Sequence, residues 1–425
     1  MNRINDTTDY SLPKLLDRRE DVDAKHARLA ELIQETNCEG LLLTQPWNVS
    51  WFTSGAVSRG LVAMDDLPFL YILPQQRWIL ANRCDSRRWF DEEIDQLGFQ
   101  LKEWDWQGKR DQLGSDLVAN RRVITDRPLG VGVDVGPVID SMRFSLSDYD
   151  RVHYQELAKI LSHGLEATAR NIQPGETEAE IAGHLSHRLI RHGVEVTSLQ
   201  ITADDRIGKY PRGGFRMIPV QERVVLQATI QRRGQYVTAS RSVSFVPIAS
   251  QWQNEFDFAC RLTLLAQLAT PKNSALQTCL EPCHRYLIKY FPQAEQQWQL
   301  FRPALRTGYR AIEAMLSATD RQIIDINHAI IWQTHIGEAL VCDTYLCTDS
   351  GWDWLTSNEN WPYRRYLIQG MSLRQADILF RADLYNSSSL NPNLKTFSSN
   401  NSSSHTPHDN NDNLKSNENG IANFH

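Results

Sequence analysis

VVLQATIQRRGQYVTASRS, residues 224–242, is the stretch of sequence that decides the fold. Its apolar and β-branched residues predict strands over 224–226 and 236–245. Gln227 and Thr238 stand eleven residues apart, one in each half of the stretch. Both positions carry neutral polar groups, an amide and a hydroxyl. Neither position therefore supplies a carboxylate, which limits the reactions that this stretch can support.

Four further motifs surround this stretch in the sequence: 48–55 (NVSWFTSG), 171–182 (NIQPGETEAEIA), 342–346 (CDTYL) and 378–381 (ILFR). Together with Ser240-Arg241-Ser242 they resemble, in the same order, the motifs of the creatinase/aminopeptidase P/prolidase family. The resemblance covers roughly residues 22–381. Members of that family share the pita-bread fold. The resemblance therefore implies an α/β amino-terminal domain followed by an α+β pita-bread domain, with residues 224–242 as its central hairpin.

The resemblance also assigns positions to the family's metal site, where two aspartates, one histidine and two glutamates hold two divalent cations that activate a hydroxide. These positions are Gln227 and Thr238 for the aspartates, Trp332 or Gln333 for the first glutamate, and Cys342 for the second. The histidine position falls within 299–305, where this chain has no histidine. Because hard cations need anionic oxygen ligands, we expect a degenerate site with no metal and no other cofactor.

Several polar residues remain near the site that the resemblance implies. The candidates for a ligand pocket are Arg212, Arg241, Tyr309, Arg310, His328 and Asp343. Arginine forks suit a carboxylate or phosphate ligand; alternatively, these arginines pair with acids in the core or at a dimer seam. His335 and Cys342 are weak catalytic candidates, with Cys342 as a nucleophile and His335 or His328 as its base.

Composition excludes several classes of partner. The formal net charge is −6 and the isoelectric point is about 6.1, which argue against nucleic acid or an anionic membrane as the main partner. The first residues lack the apolar core of a signal peptide. Seven scattered cysteines fit reduced thiols better than a disulfide framework. We therefore expect a cytoplasmic protein.

The organisation of the chain follows from the alternation of helical and strand-like patterns. We predict a flexible segment over 1–20, an α/β creatinase-like domain over 21–150 and a pita-bread domain over 151–381. The segment 382–425 is rich in Asn and Ser, which account for 20 of the last 40 residues, and we expect it to be disordered. The resemblance also implies a homodimer.

Three functions remain open from the sequence. The first is a pseudoenzyme of the pita-bread family that binds a small ligand or a peptide. The second is a hydrolase of peptide, amide or guanidino substrates with a rebuilt, metal-free site around His335, Cys342 and Arg310. The third is an active metallopeptidase whose ligands lie elsewhere in the chain. We expect no cleavage of Xaa-Pro peptides.

Overall fold

The computed structural model describes residues 15–60, 66–130, 132–210, 212–300, 303–317, 319 and 321–389. The predictions for 1–14 and 390–425 therefore lie outside the described residues. Contacts divide the chain into one unit that ends at Ala382 and another that begins at Asp383. Residues 382–425 were expected to be disordered, but the described start of that segment is a helix, Ala382–Ser389.

The amino-terminal part is built on a six-stranded mixed sheet. Its strands are β1 (Gly40–Leu43), β2 (Phe69–Leu73), β3 (Gln76–Asn82), β4 (Gln100–Trp104), β5 (Val123–Thr125) and β6 (Val133–Asp134). Their spatial order is β4-β3-β2-β1-β5-β6. The helices of this part are α1 (Leu15–Glu35), α2 (Pro46–Phe52), α3 (Arg83–Arg88), α4 (Arg110–Val118) and α5 (Gly136–Phe144). β1 is buried throughout, as expected for the apolar run at its position.

Helix α1 begins earlier than the sequence pattern suggested. We expected flexible chain up to residue 20, but the helix begins at Leu15. The Arg18 guanidinium explains the difference, because its Nε and Nη2 atoms donate to the carbonyl oxygen of Thr53 at 3.2 and 3.0 Å. This tertiary contact orders a polar segment that has no apolar periodicity of its own.

The second part begins with α6 (Asp148–Asn171) and α7 (Glu178–Ile190), and two further long helices, α8 (Ser250–Leu268) and α9 (Leu280–Tyr290), follow its first three strands. A capping box begins α7. Thr177 Oγ1 accepts from the Glu180 backbone N–H at 3.2 Å, and Glu180 accepts from the Thr177 N–H at 2.7 Å.

Three sheets complete this part. Their strands are β7 (Glu195–Ala203), β8 (Arg223–Arg232), β9 (Gln235–Ser244), β10 (Ala304–Thr307), β11 (Ala314–Met315), β12 (Ala329–Ile336), β13 (Ala339–Thr348), β14 (Gly351–Trp354), β15 (Tyr363–Ile368), β16 (Met371–Ala376) and β17 (Leu379–Phe380). One sheet has the order β17-β9-β8-β7, the second β11-β10-β12-β13-β14, and the third pairs β15 with β16.

The hairpin formed by β8 and β9 is the predicted central hairpin. It closes through a tight turn in which Arg233 and Gly234 have φ angles of 56° and 76°. A right-handed hairpin twist favours such positive angles at both central positions. Gly234 is also required by packing, because a Cβ atom there would lie 2.5 Å from the Cβ atom of Ser50 in α2. The turn is thus seated against the amino-terminal part.

The two larger sheets meet where β9 lies against β13. Thr238 donates its backbone N–H to Thr344 Oγ1 at 3.0 Å, and that hydroxyl donates to the Thr238 carbonyl at 2.7 Å. Further along, Arg241 donates to Asp343 at 2.9 Å and to Glu166 of α6 at 3.2 Å. All three charged side chains are buried. This ion triad joins α6 to both sheets.

The triad keeps Arg241 charged. Burial lowers the pKa of the Arg241 guanidinium, but the carboxylates of Asp343 and Glu166 outweigh it and raise that pKa above its ordinary value. Burial raises the pKa of both carboxyls, against the effect of Arg241. Each acid therefore depends on Arg241 for its charge.

Among the described residues, no helix is both long enough and apolar enough to cross a membrane.

Replacing Arg241 by Met should destabilise the protein by about 3–5 kcal/mol, because the change leaves two buried carboxyls without their cation. Chemical denaturation at neutral pH measures this. Arg87→Met is the control, since the Arg87 side chain is 91% exposed and its ion pair with Asp91 contributes little. A loss below about 1 kcal/mol for Arg241→Met would contradict the role given to the triad.

Candidate ligand pocket

A pocket of about 390 Å³ lies over the inner faces of the two large sheets. Its polar lining consists of Thr197, Ser198, Gln200, Arg212, Gln227, Thr229, Thr238, Gln333 and His335. Its apolar lining consists of Leu305, Ala311, Ile312, Ile331 and Leu340. The structure thus brings Gln227, Thr238 and Gln333 together, although they come from different strands.

Strand register explains this grouping. Across β8 and β9, Gln227 faces Ser240 and Thr229 faces Thr238, so Gln227 and Thr238 are diagonal neighbours on one face. Across β12 and β13, Gln333 faces Cys342. Cys342 lies beneath the pocket, fully buried.

The same register separates Trp332 from Gln333, the two residues that the resemblance offers for the family's first glutamate. Adjacent residues of a strand point to opposite faces. Gln333 lines the pocket. Trp332 is fully buried on the other face, where its ring packs edge-on against Trp352 at 5.2 Å between centroids. Of these two residues, Gln333 therefore faces the pocket and Trp332 does not.

Neutral hydrogen bonds connect the residues on the floor of the pocket. Gln200 Nε2 donates to Gln227 Oε1 at 3.0 Å. The Cys342 thiol lies 3.8 Å from Gln333 Oε1, to which it donates a weak hydrogen bond. The hydroxyls of Thr229 and Thr238 are 2.8 Å apart. Amides, hydroxyls and a thiol thus satisfy one another on the floor of the pocket.

These residues do not fit a pair of divalent cations. Of the described residues that line the pocket, Arg212 alone carries a formal charge, and it is positive. The described residues contain no group of three or more His, Cys, Asp or Glu side chains that could hold a metal ion. Cations such as Mn²⁺ and Mg²⁺ require anionic oxygen ligands, which this lining does not supply. Phe301 and Arg302, within the predicted histidine segment, lie outside the described residues.

The two catalytic candidates occupy this region but are poorly activated. His335 lines the pocket, and burial lowers its pKa, which keeps the imidazole neutral. Burial raises the pKa of the Cys342 thiol to about 12, despite a hydrogen bond with Gln227. A nucleophilic cysteine needs the thiolate form, which an apolar surrounding opposes.

Arg241 and Asp343 do not line the pocket, contrary to the sequence-based expectation. Thr238 and Cys342 point towards the pocket side of β9 and β13. Strand alternation turns Arg241, three residues after Thr238, and Asp343, next to Cys342, to the opposite face. There they form the buried ion pair with each other. The alternative interpretation, in which the arginine pairs with acids in the core, holds for Arg241.

His328 also lies outside this pocket. It precedes β12, whereas His335 lies near the far end of that strand. His328 Nδ1 is 2.6 Å from Arg306 Nη1, and its ring packs edge-on against Phe144. Burial, followed by the charge of Arg306, lowers the pKa of His328 to about 3. The expectation that His328 contributes to the ligand pocket is wrong. Its side chain instead packs against Arg306 and Phe144, which are distant from it in the sequence.

Tyr309 and Arg310 belong to a neighbouring pocket of about 570 Å³ between the hairpin and α2. The Arg310 guanidinium lies 4.3 Å from the centre of the Trp47 ring, within cation–π range. The Tyr309 hydroxyl donates to Asp150 at 2.5 Å. Ala311 and Ile312 line both pockets, so the segment 309–312 forms the ridge between them.

Sequence reasoning missed four polar lining residues, which are Thr229 of β8 and Thr197, Ser198 and Gln200 of β7. Thr229 could have been found, because it follows Gln227 by two positions and must share its face. Gln200 and Ser198 lie on β7, and only the pairing of β7 with β8, in which Gln200 faces Gln227, brings them to the pocket.

Comparisons with known proteins bear on the fold. No protein-family model matches this chain, and no curated protein matches it. Solved structures do match. The prolidase from Pyrococcus horikoshii OT3 aligns with a TM-score of 0.67 and 15% identity, over 79% of this chain and 99% of its own. Dipeptidase PepE from Mycobacterium ulcerans aligns with a TM-score of 0.68 and 14% identity, over 85% and 99%.

A third match is to the N-terminal domain of the FACT complex subunit SPT16 from Cicer arietinum (chickpea). Its TM-score is 0.60 and its identity 8%, over 80% of this chain and 96% of that domain. Sequence identities this low establish the fold and nothing finer. This chain has the pita-bread fold of the prolidases and Xaa-Pro peptidases, as the sequence motifs predicted.

Cys342 should resist alkylation in the folded protein. At pH 8, iodoacetamide should modify the exposed Cys84 and leave Cys342 unmodified, because a thiol with a pKa of about 12 carries almost no thiolate at that pH. Peptide mass mapping measures this, with the urea-unfolded protein as the control in which both react. Modification of Cys342 at the same rate as Cys84 would contradict this prediction and would support a nucleophilic role for Cys342.

Proposed function

We propose that this chain is a non-metallopeptidase of pita-bread fold that binds a short peptide or another small amide-bearing ligand. One observation carries the proposal. Residues at positions that the resemblance assigns to metal ligands are joined to their neighbours by neutral hydrogen bonds, Gln227 to Gln200 and Cys342 to Gln333. Such a lining has no charge to offer a cation, but it offers donors and acceptors to an amide.

The lining also suggests the form of the ligand. Gln and Thr side chains both donate and accept, as a peptide group does. The apolar wall that includes Leu305, Ile331 and Leu340 can cover a side chain or a proline ring. Arg212, which is exposed, can pair with a terminal carboxylate. A free dipeptide combines these three features.

A rebuilt hydrolase receives less support. Its nucleophile would be Cys342, whose pKa is raised to about 12 by burial, and its base would be His335, whose pKa is lowered by burial. A metallopeptidase with displaced ligands receives none from the described residues, which hold no suitable group of His, Cys, Asp or Glu. A homodimer, a cytoplasmic location and the absence of nucleic-acid and membrane partners stay predictions.

Ligand-induced thermal shift and calorimetry with Ala-Pro and Gly-Pro should reveal saturable binding to the wild-type protein. Gln227→Ala and Gln333→Ala should each weaken binding by about tenfold through lost hydrogen bonds to the ligand. Gln173→Ala, at an exposed position before α7, should leave it unchanged. Arg212→Gln should weaken binding of Ala-Pro but not of its carboxyl amide.

Two outcomes would contradict this function. The first is binding that survives both pocket substitutions, because the ligand would then lie elsewhere. The second is release of free proline from Ala-Pro by the purified protein, measured by mass spectrometry, which would require a catalytic site that the pocket lining does not provide.

A further inference from the structure

The floor of the ligand pocket continues beyond that pocket along the strands β7, β8 and β9. On β8, Gln227 and Thr229 line the ligand pocket, and Gln231 lines the neighbouring pocket beside α2. Residues two apart on a strand point to the same face of the sheet. These three side chains therefore form one line that runs along a single face of the sheet, from one pocket into the other.

Strand pairing extends this line into three rows of side chains across the sheet, because directly opposed residues share a face. The first row is Glu195, Gln231 and Tyr236, the second is Ser198, Thr229 and Thr238, and the third is Gln200 and Gln227. A bulge in β7 between Val196 and Ser198 keeps Ser198 on this face. The first row lines the neighbouring pocket, and the other two line the ligand pocket.

The spacing of these rows matches the repeat of an extended peptide. Rows two residues apart on a strand lie about 6.7 Å from one another, and every second residue of an extended peptide repeats at the same interval. The Gln and Thr side chains of β8 give each row a group that both donates and accepts hydrogen bonds. A peptide of about five residues laid along β8 reaches all three rows, whereas a dipeptide of about 7 Å reaches at most two.

The ridge formed by 309–312 crosses above this floor. Ala311 and Ile312 line both pockets. Ala311 is partly exposed, and Ile312 is 38% exposed, so neither side chain is packed into the sheet beneath. A peptide that occupies both pockets therefore contacts the same two side chains as it passes from one pocket to the other.

Arg212 sets the direction of the peptide. It lies beyond the third row, because the Ile201 backbone N–H, near the carboxyl end of β7, donates to the Gly214 carbonyl in the same loop at 2.9 Å. With the terminal carboxylate on Arg212, the amino-terminal residues extend towards the first row. Among the described lining residues of the neighbouring pocket, Glu195 and Arg310 carry one formal charge of each sign. Length rather than net charge therefore selects the ligand.

We propose that the two pockets form one groove for an extended peptide of about five residues. Its carboxyl end lies at Arg212 and its amino-terminal residues lie over Gln231 in the neighbouring pocket. This inference rests on the proposed function, because it takes the same contact between Arg212 and a terminal carboxylate. It adds the length and the direction of the ligand, which the ligand pocket alone does not determine.

Calorimetry on the full chain compares Ala-Pro with Ala-Ala-Ala-Ala-Pro, which ends in the same two residues. The pentapeptide should bind at least about tenfold more tightly, through added hydrogen bonds to the first and second rows. Gln231→Ala should weaken the pentapeptide by about fivefold and leave Ala-Pro unchanged, because Gln231 lines the neighbouring pocket and not the ligand pocket. Gln173→Ala, at an exposed position, is the control that should keep both affinities.

Ser58→Trp tests the location by filling space. Ser58 is partly buried and lines the neighbouring pocket but not the ligand pocket. An indole at this position should remove the advantage of the pentapeptide, whereas the matched control Ser58→Ala should keep it. Both variants should bind Ala-Pro as the wild type does, which shows that the ligand pocket is intact.

Two results would overturn this inference while the proposed function stands. In the first, Ala-Pro binds and the pentapeptide binds no more tightly. In the second, the advantage of the pentapeptide survives both Gln231→Ala and Ser58→Trp, so its additional residues lie elsewhere. Failure of both peptides to bind the wild-type protein would overturn this inference together with the proposed function.

Discussion

The pocket exists because Arg241 fixes how the two large sheets meet. Its guanidinium lies between Asp343 of β13 and Glu166 of α6, and all three side chains are buried. A buried ion pair contributes little to the net free energy of unfolding. A buried charge that loses its partner is strongly destabilising, however, so the pair favours the one alignment of the strands in which every charge is paired. In that alignment Thr238 and Thr344 bond each other. Gln227, Thr238 and Gln333, on the opposite faces of the two sheets, then line one pocket.

The amino-terminal part holds the ridge beside that space. Arg143 of α5 forms a buried ion pair with Glu313 at 2.6 Å and also donates to Asn48. Glu313 in turn accepts from the backbone N–H of Arg310 at 3.1 Å. Asn48 is fixed by donating to Asp126. A continuous polar network therefore runs from the first sheet to the segment that separates the two central pockets.

Much of the fold and of the pocket could be predicted from the sequence, because sequence motifs and the alternation of residues along a strand involve only near neighbours in the chain. The hairpin follows from patterns of a few residues, whereas the resemblance supplied the positions Gln227 and Thr238 and left the choice between Trp332 and Gln333 open. Alternation could also have excluded Arg241, which stands three positions after Thr238 and must face away from it. His328 could not have been placed this way. Its partner Arg306 lies on another strand, and only the folded chain brings the two together.

Under the proposed function, neutral hydrogen-bonded groups line the pocket and it holds no pair of divalent cations. Elemental analysis of the protein purified without chelator, followed by calorimetric titration with Mn²⁺, is the most direct test. We expect substoichiometric manganese, cobalt and zinc and no saturable Mn²⁺ binding at the pocket, since amides and hydroxyls cannot balance the charge of two cations. About two ions per chain, with chelator-sensitive cleavage of an Xaa-Pro dipeptide, would contradict it.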